Sequence, residues 1–145
     1  MADRPQSFEN HVRYVPGYHI VTFGILVINL LWRIYTDARH FSADHSVQLL
    51  LAVGLVLLFF YARLFALGNQ DRIIRLEMHL RLARVLPPDL ASQVDRFSVG
   101  QLISMRFASD AELPELARKV LSDNLTDRQA IKQLVKDWQA DHLRV

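Results

Sequence analysis

Four groups of side chains have the types and spacing to do chemistry. His40, Asp44 and His45 share one short polar stretch, and imidazole with carboxylate is a donor set that transition metals accept. No fixed ligand spacing accompanies them, and their plainer use is as solvated loop or helix-cap groups. A second, composite group brackets the apolar part of the chain, with Asn10, His11, Arg13 and His19 before it and Gln70, Asp71 and Arg72 after it. Arg63, Arg72, Arg75, Arg81 and Arg84 form a third, in sequence that follows directly on an apolar run. Cations there meet anionic headgroups at about 1 kcal/mol each near the surface. Asp71 and Glu77 dilute that charge, so a solvated helix face is the plainer reading. Last, Arg128, Lys132 and Lys136 fall at i, i+4, i+8, opposite Ile131, Leu134 and Trp138. A nucleic-acid binder needs such a ridge, but Asp127, Asp137 and Asp141 share the segment and no base-stacking aromatics lie beside it. A solvated face is expected there, not a nucleic-acid site.

Several chemistries are excluded outright. No Gly-x-Ser-x-Gly, phosphate-binding glycine loop or His-Glu-x-x-His occurs. The absence of cysteine removes disulfides, Cys-ligated zinc and thiol catalysis together. A net charge of +2 over 145 residues is too small to argue a polyanion partner by itself. No catalytic residue, cofactor or metal is assigned, and an enzyme is not expected.

The residues that position these groups are dominated by Val47 to Leu86, which opens as lipid-compatible sequence and turns into an amphipathic basic segment. From Val47 to Tyr61 the one polar side chain is Gln48, and Leu64 to Leu67 resume the apolar run beyond Arg63. Leu, Val and Phe at roughly −0.5 kcal/mol each outweigh one arginine at roughly 3 kcal/mol. Tyr18 to Tyr35 is a second candidate span, with Pro16 and Gly17 stopping it behind and Tyr18, Trp32 and Tyr35 at the two interfacial levels. Thr36 to Ser46 then reads as a polar connection, with Ser42 or Asp44 as N-cap for the next helix. Asn29 and Gln48 are candidates for a hydrogen bond between helices, Asn29 the better placed as packing glue. Asp3 and Glu9 argue against a cleaved signal peptide. Lys and Arg are in excess on the terminal sides, so the positive-inside rule puts both termini in the cytoplasm.

Beyond the spans, Asn69 to Leu86 carries two apolar stripes, Ile73, Leu76, Leu80 and Ala83 on one face and Ile74, Met78, Leu82 and Val85 on nearly the opposite one. A helix apolar on two faces needs two neighbours. One is the rest of the domain; a second copy of the helix is the economical candidate for the other. Pro87 and Pro88 end this stalk. Capping boxes at Ser98/Gln101, Ser109/Glu112 and Thr126/Gln129, with a Phe97/Leu102 staple, then predict helices near Asp89 to Asp95, Val99 to Ala108, up to Ser122 and up to Leu143. Pro114 falls in the first turn of the third, or at its true start if Asp110 to Leu113 is a turn. Hairpin topology places the two halves of the composite group at one membrane surface, where Asp71 is expected to clamp Arg13 or His11.

The chain resembles an uncharacterised family of small bacterial two-span membrane proteins with a domain of unknown function. The resemblance runs through Phe8, Asn10-His11, Arg13, Pro16, Tyr18-His19, Arg63 to Leu67, Gln70 to Arg72, Ile74 to Glu77, Arg106 to Asp110, Glu112 to Pro114, Ile131-Lys132, Trp138 and Asp141 to Val145. Gly68 departs from it, where a larger residue is expected. The resemblance implies no activity. The expected architecture is all-α: a transmembrane helical hairpin whose second helix extends into a small cytoplasmic helical domain. Residues 1–17 form a cytoplasmic segment, 18–67 the hairpin (spans about 18–35 and 47–67) and 68–145 the stalk and domain. The expected function is a membrane-anchored interaction module of the bacterial inner membrane, working through a protein partner or homo-oligomer on a stalk stripe, with anionic lipid contacts. The alternative is an enzyme or transport accessory subunit using the composite polar site.

Overall fold

The computed structural model of the chain describes residues 7–9 and 14–141. A π-helical turn at Gly17–Thr22 leads into α1 (Phe23–Arg39), followed by α2 (Ala43–Val85), α3 (Pro88–Ala91), a 3₁₀ turn (Val94–Arg96), α4 (Val99–Met105), α5 (Leu113–Ser122) and α6 (Arg128–Gln133). Among the described residues there is no strand, and one isolated bridge joins Ala108 to Trp138. The chain divides into two compact units, one of residues 14–67 and one that joins the residues ahead of Tyr14 to those from Gly68 on, so that one boundary falls inside α2.

The first unit, Tyr14–Leu67, is a helical hairpin. In a π turn, residues five apart line up on one side. That register brings both Tyr18 and Phe23 onto Phe59, at ring separations of 4.3 and 5.5 Å, and the Tyr18 hydroxyl donates to the Phe59 carbonyl at 2.7 Å. At the far end the connection is shorter than its composition suggests. The helices run through most of Thr36 to Ser46 and leave only residues 40–42 outside. Ser42 caps α2 by accepting the His45 amide, and the Ser46 hydroxyl donates to Asp37 at 3.0 Å, satisfying polar groups that a longer loop would have left to water. The inter-helix hydrogen bond from within the apolar runs falls to Gln48, which accepts from Arg33, and not to Asn29. Ala52 is buried, while Ile25, Ile28, Leu31, Leu50, Leu51 and Leu58 are all exposed. Both helices, counting the π turn with α1, are long and apolar enough to cross a membrane.

The second unit contains residues 7–9 and 68–141 of the described chain. Its core unites Ile74, Met78, Leu82 and Leu86 with Leu90, Phe97, Leu102, Ile103, Met105, Leu113, Leu116, Val120 and Ile131. The stalk therefore supplies the side chains that a segment of about 60 residues lacks for a core of its own. Ser98 makes the complete capping box with Gln101, whose side-chain amide also donates to the Leu125 carbonyl at 2.8 Å. The third helix begins at Leu113 with Pro114 in its first turn, so residues 110–112 are a turn. It ends in a Schellman motif: Asn124 adopts φ 48°, and the Leu125 amide donates to Val120.

Three expectations about the last helices are corrected. Ser109 accepts the Glu112 amide at 3.4 Å, but the Glu112 carboxylate does not complete a box. It accepts the amides of Lys136 and Asp137 at 3.1 and 3.3 Å. The cap of α6 is Asp127, not Thr126. And α6 stops at Gln133 where periodicity carries it to Leu143. Beyond it the Ser109 amide donates to Asp137 and the Gln139 amide to Phe107, so tertiary partners take the backbone groups that further helical turns would have used.

Candidate functional site

Where α2 lies in the second unit, its two apolar faces have opposite fates. Ile74, Met78 and Leu82 are buried, whereas Ile73, Leu76 and Leu80 are 58%, 63% and 60% exposed. A flanking strip carries Arg72, Arg75 and His79, which line, with Leu76 and Asp95 of the 3₁₀ turn, a shallow hollow of about 360 Å³. Two guanidinium groups and an imidazole can hold an anionic group there.

Arg81 is not part of that surface. Its side chain, 17% exposed, donates to the carbonyls of Arg106 and Ala108 at 2.9 and 2.6 Å, to the Gln139 side chain at 3.1 Å and to Asp110 at 2.6 Å. This clamps the stalk to the loop after α4 and to the extended segment after α6. Its assignment as a lipid-headgroup contact is therefore withdrawn: every direction its guanidinium points is taken by the domain itself. Arg72, Arg75 and Arg84 remain exposed, and Arg63 is half-buried in the hairpin. Beside the clamp, Phe107 stacks on Trp138 at 4.3 Å, Arg106 pairs with Asp141 at 3.1 Å, and the Arg106 and Lys132 cations lie 4.4 and 5.5 Å from the Phe107 ring centroid.

The basic ridge of the last helix does not persist as a continuous row. Arg128 lies against Gly100, where an added Cβ would meet its Nε at 2.8 Å; Lys132 covers Phe107; and Lys136 is outside the helix. Sequence reasoning missed the roles of Arg81, Glu112 and the Phe107–Trp138 stack. One signal was available: Arg81 sits seven residues after Ile74, about 20° round the helix from that buried side chain.

Of the composite polar group, Asn10, His11 and Arg13 lie outside the described residues. His19 belongs to the hairpin unit, where its Nδ1 sits 3.0 Å from the Val15 carbonyl and its ring stacks on Tyr14 at 4.9 Å. Gln70 and Asp71 are half-buried on α2, and Asp71 makes no ion pair with a described residue. In the connection, His45 Nδ1 contacts the His40 carbonyl at 2.5 Å, a backbone role for one of the histidines considered as metal ligands. No group of three metal-ligating side chains occurs among the described residues.

No match is found among curated proteins or solved structures. The model of a family of unknown function, DUF6526, matches residues 1–145, the whole of the sequence, and the chain belongs to that family.

Proposed function

We propose that this protein is a membrane-anchored helical interaction module of a bacterial cytoplasmic membrane. The hairpin spans the bilayer, both termini lie in the cytoplasm, and residues 68–145 are the working part. The observation that carries the anchoring is the inverted burial of the hairpin. Ile25, Ile28 and Leu31 on one helix and Leu50, Leu51, Leu57 and Leu58 on the other stand exposed, and Ala52 is the buried hydrophobic among its described residues. An apolar surface of that extent is unstable in water and ordinary in lipid. The observation favouring interaction is that Arg81 and Glu112 are taken up in holding the domain together, while the Ile73–Leu76–Leu80 face is left open. Arg75, exposed beside that face about two turns past the end of the span, is placed to meet anionic headgroups.

The test is fractionation of cells expressing the full chain with a reporter after Val145. The protein is expected to stay in the membrane pellet through alkaline carbonate, with a cytoplasm-dependent reporter active. Release by carbonate, or activity only of a reporter that works outside the cytoplasm, would overturn the reading.

A further inference from the structure

The open face of α2 carries a coiled-coil seam. Ile73, Leu76, Leu80 and Ala83 recur at alternating spacings of three and four, the a and d positions of a heptad, and all four are exposed. The side chains buried in the domain, Ile74, Met78 and Leu82, fall at the b, f and c positions of that register, so the domain leaves the seam uncovered. We propose that the occupant of this seam is a second copy of the same chain, paired in parallel and in register.

Three features select that occupant. Arg72 stands at g and Glu77 at the following e, on opposite flanks of the seam, and neither is paired with a described residue of its own chain. In a parallel pair those positions meet across the interface, so each Arg72 faces the partner copy's Glu77 and the contact is made twice by symmetry. The next such positions, His79 and Arg84, bring no attraction, which leaves the Arg72–Glu77 pair to set the register. Asn69 occupies the preceding d position and is exposed. Parallel pairing in register sets the two Asn69 side chains opposite one another, where their amides can satisfy each other.

A seam of about two heptads is short for association in bulk water. Two copies held in one bilayer with the same orientation meet at a high effective concentration, which compensates for the short seam. The inference thus rests on the anchoring proposed above.

The chain has no cysteine, so single substitutions report cleanly. Full-length Ile73→Cys, Leu76→Cys, Leu80→Cys and Arg75→Cys variants, the last exposed but off the seam, are oxidised in intact membranes. A band at twice 16.8 kDa is expected for the three seam positions and not for Arg75→Cys. Adding Arg72→Glu to Leu76→Cys should reduce that band several-fold, and further adding Glu77→Arg should restore it. No band at any seam position, equal bands at all four, or a band at Leu76→Cys alone, as an antiparallel crossing would give, overturns the proposal. The bands are read in the carbonate-resistant and released fractions alike. A membrane-retained monomer then contradicts the dimer alone, and a released protein contradicts the anchoring.

Discussion

At the scale of single residues, Arg81 does the most work in the domain. It combines two exposed contacts, to Asp110 and Gln139, with two sheltered ones to backbone carbonyls, and these should separate on mutation. Asp110 is 65% exposed, so its pairing with Arg81 is screened and Asp110→Ala is expected to cost less than about 1 kcal/mol. Arg81→Ala leaves two loop carbonyls and the Gln139 side chain without their donor, and is expected to cost roughly 2–4 kcal/mol. Thermal unfolding of the detergent-solubilised protein, variant against wild type, checks both. Gly68 offers the opposite case. It lies within α2 with nothing within 4 Å of an added Cβ, so Gly68→Ala is expected to stabilise the helix by about 0.5–1 kcal/mol. A loss of stability in the same melt would contradict that.

At the scale of elements, legibility follows how local the cause is. The Ser98–Gln101 box, the start of α5 beside Pro114 and the helical continuity of α2 through Gly68 all rest on interactions within a few residues, and they are readable in sequence. The end of α6 is not. Leu134, Val135 and Trp138 keep helical spacing, and the first two do pack on the core. Yet Glu112, some two dozen residues earlier, takes the Lys136 and Asp137 amides, and the Ala108–Trp138 bridge holds the chain extended. The candidate site was half readable for a related reason. Helical geometry gives the two stripes of the stalk; which one the domain covers, and that Arg81 goes with it, depends on contacts between α2 and residues 106–139. Glu112→Ala removes the acceptor for both amides, at roughly 1–3 kcal/mol for the groups left unmade. Limited trypsin digestion should then cut faster after Lys136 than in wild type, while an unchanged rate would place the anchorage of that segment elsewhere.

At the scale of the whole molecule, the two units carry opposite burial patterns. The second unit buries Leu82, Leu102, Leu113 and Ile131 completely, as a domain in water does, while the hairpin turns comparable side chains outward. One chain with both patterns is accounted for by a bilayer around residues 18–67 and water around the rest. On that proposal the arginine excess on the terminal sides, by the positive-inside rule, puts both termini in the cytoplasm. The most direct measurement uses the cysteine-free background and a membrane-impermeant maleimide on cells. Phe41→Cys places the probe at an 84% exposed position in the connection between α1 and α2, and Ser122→Cys at an exposed position at the end of α5. Phe41→Cys is expected to label in intact cells and Ser122→Cys only after permeabilisation. Labelling of Ser122→Cys in intact cells, or of Phe41→Cys only after permeabilisation, would contradict the account.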